Sequence, residues 1–259
     1  MVNASLRSAL RSVSCLVLAA TFAGCVRQVP EAPVNTTPWQ DAHQLVLVTI
    51  DDWDTDHGDL RTYERGDGAW EEVSEGVPVS IGRSGAAWGE GLQPTQTGGP
   101  VKKEGDGRSA AGVFSIGQAF GYAARSTTAL PYRALQESDY CVDVDGSPLY
   151  NRIVDAREVG QQAVVDSTEP MRRDLHADGD MRYELGFVIE QNPNGKRGAG
   201  SCIFAHLWQM PMETTAGCTA MDEVEMQMLL TWLKPEENPI FILLPQKEYV
   251  RLRKDWALP

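Results

Sequence analysis

Short apolar runs recur along the chain, and turns rich in Gly, Pro, Asn and Asp separate them. Residues 44–50 and 240–244 are almost continuously apolar, and residues 60–65 alternate and can pair back on the first run as a hairpin. Further strand candidates are residues 70–73, 77–81, 111–116, 181–191 and 201–206. Many short strands with few helices predict a mainly β domain, either a sandwich or a partly open barrel.

One helix is predicted after residue 221. Asp222 fits the N-cap position, and Glu225 stands three residues later, as in a capping box. Apolar residues then recur at helical spacing, at Val224, Met228, Leu229, Trp232 and Leu233. The pair Lys234-Pro235 ends the pattern, and we expect these apolar side chains to pack in the core.

The N-terminus has the features of a bacterial lipoprotein signal. Arg7 and Arg11 precede a short apolar segment over residues 12–22, too short to span a membrane. The sequence Phe22-Ala23-Gly24-Cys25 resembles the lipobox, so residues 1–24 are the predicted signal peptide and Cys25 the lipidated residue. An ordinary signal peptide with an incidental Cys25 is the alternative.

The predicted lipid sets the expected location. Multiple acyl chains on Cys25 give stable membrane anchoring, and Val26 resembles an outer-membrane sorting signal, so we expect an exported, lipid-anchored protein at the periplasmic face. Residues 25–42 carry several prolines and predict a flexible tether. Residues 43–259 are long enough for one domain with a sizeable core.

Net charge restricts the partners. The formal net charge is −13, which argues against a nucleic-acid partner, because phosphate neutralisation needs a basic surface. The same charge argues against an electrostatic membrane patch, so membrane contact is expected through the lipid alone.

Five cysteines divide by location. Cys15 belongs to the predicted signal peptide and Cys25 to the lipid anchor, which leaves Cys141, Cys202 and Cys218 in an oxidising compartment. Three thiols favour one disulfide and one free cysteine. We predict a Cys141–Cys202 disulfide with Cys218 free, and the pairings that include Cys218 stay open.

Cys218 is the strongest candidate for chemistry. It follows Gly217 in a turn of small residues, and His206 lies twelve positions upstream at the end of an apolar run. A nucleophilic thiol needs exposure, a base within reach and donors for an oxyanion, and a helix N-terminus lowers its pKa. A zinc site of Cys202, His206 and Cys218 has no familiar spacing, and the acidic residues 51–56 lack the Glu of a calcium loop. No metal or cofactor is expected.

Three segments resemble the L,D-transpeptidase catalytic domain of the YkuD or ErfK type, as a divergent branch. Residues 103–114 resemble the family segment Lys-x-Gly-Asp-x-x-Thr-Pro-x-Gly-x-Phe, with Ala110 in place of proline. Residues 200–208 resemble the strand that carries the catalytic histidine, and residues 215–219 resemble the nucleophile motif Ser-His-Gly-Cys-x-Arg. Together with residues 86–89 and 150–154, the resemblance covers nearly all of residues 44–244.

The resemblance implies a β-sandwich-like fold with a helix after the nucleophile loop, acting on peptidoglycan stem peptides. It makes Cys218 the nucleophile and His206 the base, with the backbone N–H groups of Gly217 and Cys218 as oxyanion donors. The predicted substrate-binding residues are Trp88, Tyr122, Trp208 and Thr215.

Two positions depart from the family motif. Ala216 stands where the motif has histidine, and Ala220 stands where it has the arginine expected to bind a substrate carboxylate. Arg125, Arg133 and Arg152 are the candidate replacements for that arginine. A carboxypeptidase or amidase that hydrolyses stem peptides, and a non-catalytic peptidoglycan-binding lipoprotein, are therefore the alternatives to a transpeptidase.

Overall fold

The computed structural model describes Met1, residues 37–66 and residues 68–259 of the protein. The chain divides into two units, Met1–Val34 and Asn35–Pro259, and every element below belongs to the second. The predicted signal peptide, the lipobox with Cys25 and most of the predicted tether lie outside the described residues, and their assignment rests on the sequence.

Strands dominate the described part of the chain. They are β1 (Gln44–Ile50), β2 (His57–Glu64), β3 (Glu71–Glu72), β4 (Val77–Ser80), β5 (Ala86–Trp88), β6 (Ser109–Gly121), β7 (Tyr132–Ala134), β8 (Asp139–Cys141), β9 (Ile153–Asp155), β10 (Glu169–Pro170), β11 (Leu185–Ile189), β12 (Phe204–Leu207), β13 (Thr219–Met221) and β14 (Ile240–Pro245). The helices are α1 (Ala156–Val159), α2 (Arg173–His176), α3 (Glu223–Trp232) and α4 (Gln246–Leu252), with 3₁₀ turns at Gln161–Ala163 and Pro235–Glu237. The prediction of a mainly β protein is confirmed.

Eight of these strands close into a ring rather than stacking as two sheets. The order is β1-β14-β6-β11-β12-β13-β4-β2, and β2 also pairs antiparallel with β1, which completes the circle. Closure depends on the long strand β6, whose first half pairs with β14 and whose second half pairs with β11. Because one strand continues from one side to the other, the sheet curls into a closed barrel. The strand pattern allowed a sandwich or a partly open barrel, and the β-sandwich-like fold implied by the resemblance is not confirmed.

The main core includes β1 and β14 and extends across the ring to Ala205, Leu207 and Met221. These strands are parallel neighbours, with Leu47 opposite Ile242, and every residue of β14 is buried. Such continuous apolar runs are typical of strands covered on both faces. A smaller apolar cluster, around Phe120 and Phe204, lies under β11 and β12 and includes the three cysteines of the described chain.

Helix α3 follows the nucleophile loop after the short strand β13. Asp222 caps it by accepting a hydrogen bond from the Val224 N–H at 2.9 Å, which confirms the predicted start. The predicted core face was partly wrong, because Val224 and Met228 are exposed. The buried residues are Met226, Leu229, Leu230 and Leu233. Their spacing of three, four and seven marks one face of a helix, whereas the sequence offers apolar residues on two faces.

The end of the predicted tether belongs to the packed structure. Trp39 is 4% exposed, and its indole N–H donates to the Trp256 carbonyl at 3.1 Å. Ala42 is also buried in the main core. Among the described residues, no helix is both long enough and apolar enough to cross a membrane.

Candidate active site

The two predicted catalytic side chains open into one cavity of about 260 Å³. Cys218 and His206 line it together with charged residues that follow β5 and β8, lie in β10 and α2, or precede β11. These charged residues are Lys102, Glu104, Asp143, Glu169, Arg173 and Arg182. The cavity is therefore a polar site with one thiol and one imidazole in its wall.

The parallel pair β12 and β13 positions both residues. His206 lies opposite Ala220, and Ala205 lies opposite Thr219. Cys218 directly precedes Thr219 and lies against Phe204, where the Phe204 N–H donates to its Sγ at 3.4 Å. Cys218 and His206 are thus diagonal neighbours on adjacent strands.

The loop before Cys218 is fixed by buried hydroxyl groups. The Ser109 hydroxyl donates to the Gly217 carbonyl at 2.8 Å, and the Thr215 hydroxyl donates to the Cys218 carbonyl at 2.7 Å. Gly217 has a φ of 154°, and a Cβ there would lie 3.0 Å from the Arg108 carbonyl oxygen. The tight approach accounts for a glycine immediately before the cysteine.

The thiol of Cys218 is buried and protonated at rest. The residue is 8% exposed, and its S–H donates to the Cys202 carbonyl at 3.5 Å. Burial, followed by the negative charge of Glu169, raises the pKa of Cys218 to about 12. The exposed, activated thiol expected from the sequence is therefore not the state of this structure.

The imidazole of His206 is buried and neutral. Its Nδ1 lies 2.7 Å from the Leu207 carbonyl, which can only accept, so Nδ1 carries the proton. Burial, together with the positive charges of Arg182 and Arg173, lowers the pKa of His206 to about 4. Its Nε2 has no hydrogen-bond partner among the described residues and holds a free lone pair.

Cys218 and His206 line the same cavity. Among the contacts of the described residues, no hydrogen bond joins the thiol to the imidazole. Thiol and imidazole are both neutral, because the pKa of Cys218 is raised and that of His206 is lowered. Proton transfer from sulfur to nitrogen is unfavourable in this state. The arrangement can supply a nucleophile and a base only after a ligand changes their surroundings.

The Gly217 N–H, one of the predicted oxyanion donors, is engaged within its own loop in this conformation. This N–H donates to Thr215 Oγ1 at 3.0 Å, so it does not face the cavity as a free donor. The hydroxyl of Thr215, which the motif comparison treated only as substrate-binding, accounts for this. The donor becomes available only if that bond breaks.

The structure decides between the possible disulfide pairings and bears on the zinc alternative. Cys141 and Cys202 form a disulfide, and Cys218 is a free cysteine. Because Cys202 sulfur is bonded to Cys141, the zinc alternative with Cys202, His206 and Cys218 is wrong. Across the described residues, no group of three or more His, Cys, Asp or Glu side chains is arranged to hold a metal ion.

Of the four predicted substrate-binding residues, Thr215 lines the cavity. Trp88 does not, because it is 5% exposed and belongs to the main core. Its ring packs edge-on against Trp53 and Trp256, with centroids 5.0 and 6.4 Å away, and its indole N–H donates to Gly98. Packing beneath a loop is the role of Trp88.

Tyr122 and Trp208 also lie outside the cavity lining. The Tyr122 hydroxyl donates to the Asp180 carbonyl at 3.1 Å and accepts from the Asp174 N–H at 3.4 Å. The Trp208 indole N–H donates at 2.6 Å to the Oγ of Ser80 in β4, which lies beyond β13 in the ring. Both aromatic residues hold loops together rather than forming a groove wall.

The arginines of the site were not the predicted ones. Arg125 is exposed, Arg133 pairs with Asp139 at 2.6 Å, and Arg152 lines a different cavity. Arg173 and Arg182 line the cavity of Cys218 instead. The sequence offered one signal, namely the charged residues directly before the apolar run of β11, but it gave no distance to the cysteine.

A buried network joins these arginines to the imidazole. Arg173 and Arg182 both pair with Asp180, at 2.7 and 2.6 Å. The Tyr183 hydroxyl donates to Glu169 Oε1 at 2.8 Å, and the Tyr183 ring lies edge-on to His206 with centroids 5.3 Å apart. Burial raises the pKa of Glu169. The network fixes the electrostatic environment of His206.

Comparisons with known proteins do not identify a family. No protein-family model matches the chain, and no curated protein matches it. Among solved structures, the chain is similar to the helical cell shape determining protein Pgp2 from Campylobacter jejuni, with a TM-score of 0.36 and 13% identity over 80% of this chain and 49% of that one. The chain thus spans about half of that protein's length, and at this TM-score the likeness does not assign a shared fold.

Proposed function

We propose that the protein is a peptidoglycan-modifying cysteine acyltransferase of the L,D-transpeptidase type, acting on stem peptides through a thioester at Cys218. The observation that supports this most is the single cavity that contains a free thiol, a histidine with an open Nε2 and two arginines. The sequence resemblance supplies the substrate class. The lipobox-like sequence at Cys25 supplies the proposed location, anchored by lipid at the periplasmic face.

The proposed reaction has two steps. His206 Nε2 takes the thiol proton, and the sulfur of Cys218 attacks the peptide carbonyl carbon. The C–N bond breaks, His206 returns the proton to the leaving amine, and a thioester remains. An amine then attacks the thioester, and the C–S bond breaks. The thiolate of Cys218 regains the proton that the amine loses.

Ligand binding can activate the resting pair. Arg173 and Arg182 lower the pKa of His206 by their positive charge. A substrate carboxylate held against these arginines offsets that charge, which raises the pKa of His206 and makes its Nε2 a stronger base. The thiol is thereby protected until a carboxylate-bearing peptide enters.

Intact-protein mass spectrometry with a carbapenem tests the proposal. We expect a single covalent adduct on the wild-type protein, none on Cys218→Ala, and a rate for His206→Gln lower by about 100-fold or more, the usual scale of a lost base. His176→Gln is the matched control, because His176 is exposed and outside the cavity. An unchanged adduct on Cys218→Ala would falsify the assignment.

Analysis of muropeptide products separates the transferase from a hydrolase. New 3→3 cross-linked dimers are the expected products of transfer, and trimmed monomers are those of a carboxypeptidase. If the wild-type protein produces cross-linked muropeptide dimers and Cys218→Ala does not, the main proposal is supported. Monomers alone support the hydrolase.

One observation favours a non-catalytic alternative. A buried thiol with a pKa raised to about 12 and no hydrogen bond to His206 has the properties of an inert structural cysteine. A peptidoglycan-binding lipoprotein would then bind isolated cell wall equally well as wild type and as Cys218→Ala, with no adduct on either protein.

A further inference from the structure

The cations of the cavity are already paired with carboxylates of the protein. Lys102 pairs with Asp106 at 2.5 Å, while Arg173 and Arg182 share the single carboxylate of Asp180. The shared carboxylate leaves charge for the substrate carboxylate proposed above and little for a further anionic group. The electrostatic preference of the cavity is therefore decided by its remaining acidic residues.

Two of these acidic residues have neutral partners only. Glu104 accepts hydrogen bonds from the Tyr150 hydroxyl and, at 2.7 Å, from the Ser201 hydroxyl. Asp143 accepts from the Thr168 N–H at 2.9 Å and from the Thr168 hydroxyl. In the part of the chain that the structure describes, neither carboxylate forms a salt bridge. Neutral donors thus orient both groups and leave their negative charge uncompensated.

A separate observation indicates that the same cavity receives a ligand. His206 is 3% exposed and lines the cavity with Glu104 and Asp143. Its Nδ1 is engaged by a carbonyl, and its Nε2 has no partner within the described chain. Because His206 lines the cavity and its Nε2 is not among the fully buried atoms without a partner, a donor on a bound ligand can reach this nitrogen.

We propose that Glu104 and Asp143 form a subsite for the ammonium group of the amine that accepts the acyl group from Cys218. This inference rests on the proposed function and specifies its second substrate as a cationic amine. A metal ion is the less favoured occupant, because the described residues provide no set of three or more metal-binding side chains. The bound ammonium first loses one proton to water. The neutral amine then attacks the thioester carbon and forms the C–N bond as the C–S bond breaks, and its second proton passes through His206 Nε2 to the Cys218 thiolate.

The first test measures the ratio of acyl transfer to an amine over hydrolysis of the thioester by water. A stem tetrapeptide acylates the enzyme, and the acceptor is either Nα-acetyl-lysine amide, which carries an ammonium group, or hydroxylamine, which is neutral at pH 7. We expect Glu104→Gln and Asp143→Asn each to lower the ratio of transfer to hydrolysis about threefold for the lysine probe, the scale of a partly exposed ion pair. The ratio for hydroxylamine should change much less, because this acceptor carries no positive charge.

Glu236→Gln is the matched control, because Glu236 is exposed on the 3₁₀ turn outside the cavity. We expect it to behave as the wild-type protein with both acceptors. A ratio that stays constant in both cavity variants, or one that falls equally with the two acceptors, overturns the subsite.

The second test needs no acylation and keeps the two proposals apart. Nα-acetyl-lysine amide and its Nε-acetylated form are titrated into Cys218→Ala, with and without each carboxylate substitution. The subsite is supported if Cys218→Ala binds the charged probe more tightly than the acetylated probe and if Glu104→Gln or Asp143→Asn abolishes this difference. This holds even if the wild-type protein never forms an adduct. Equal binding of the two probes contradicts it, and so does calcium binding that depends on both carboxylates without any preference for the ammonium.

Discussion

Strand β14 and the strand pair β12–β13 are equally buried, but they differ in what they bury. All side chains of β14 are apolar, and the main core surrounds them. The residues of β12 and β13 are as inaccessible, and they include His206 and Thr219, with Cys218 immediately before β13.

The two regions differ in how burial of their side chains affects the stability of the protein. Apolar burial in β14 contributes favourably in proportion to the area removed from water, whereas a buried imidazole loses the stabilisation that water gives to its charged form. The lowered pKa of His206 and the raised pKa of Cys218 are direct expressions of that loss. Strand β14 belongs wholly to the core, whereas β12 and β13 contribute Ala205, Leu207 and Met221 to the core and His206 to the candidate site.

The largest expected effect is in the apolar core. Phe241→Ala removes a ring that is 1% exposed at the centre of β14, and we expect the free energy of unfolding to fall by about 3–5 kcal/mol. Chemical denaturation followed by circular dichroism measures the change. Val224→Ala, at a position 61% exposed on α3, should alter it by no more than about 0.5 kcal/mol. A loss of less than about 1 kcal/mol for Phe241→Ala would contradict a tightly packed core at β14.

The next effect is a pH dependence at the candidate site. The pKa of His206 is about 4 in the folded state and 6.5 in the ordinary state, so the unfolded chain binds the proton more strongly. The contribution of His206 to stability is therefore fully present above pH 6.5 and is lost as the pH falls toward 4. The loss should amount to about 3 kcal/mol.

Denaturation curves at several pH values check this prediction. His206→Gln should remove that part of the stability loss between pH 6.5 and pH 4, although the carboxylates of the protein still contribute their own. His176→Gln, at an exposed histidine, should keep the slope of the wild-type protein. Identical slopes for the wild-type protein and His206→Gln would show that His206 is not desolvated as the structure has it.

Much of the ring could be predicted from the sequence because its strands carry strong local patterns. The apolar runs at β1 and β14, the strand of His206 and the N-cap of α3 all follow from period and composition. Closure of the ring could not be predicted, since it depends on the length of β6 and on which neighbour each half of that strand pairs with. Partner choice between strands is a non-local property that the alternation of one strand does not encode.

The same distinction between local pattern and non-local contact applies to the candidate site. The predicted Cys141–Cys202 disulfide is present, and the structure places the candidate residues Cys218 and His206 in one cavity. Arg173 was missed because it begins the one-turn helix α2 in a polar stretch without apolar periodicity. The aromatic candidates failed for a related reason, since a tryptophan in a glycine-rich loop packs beneath that loop as readily as it lines a groove.

The smallest effect tests the contact that fixes the nucleophile loop. Thr215→Val removes a hydroxyl that donates to the Cys218 carbonyl and accepts from the Gly217 N–H. Both backbone groups lose a buried partner, so we expect the free energy of unfolding to fall by about 1–2 kcal/mol. Thr231→Val, at an exposed position of α3, is the control and should change it by no more than about 0.5 kcal/mol.

The same variant sharpens the distinction between the structural core and the candidate site. Because the side chain that Thr215→Val introduces has no acceptor for the Gly217 N–H, that donor becomes free to face the cavity. We therefore expect the carbapenem adduct on Cys218 to form at least as fast as in the wild-type protein, despite the lower stability. A slower adduct would mean that Thr215 positions the thiol for attack, and that the bond to Gly217 belongs to the reactive conformation. An unchanged free energy of unfolding would instead show that the hydroxyl of Thr215 does not stabilise this loop.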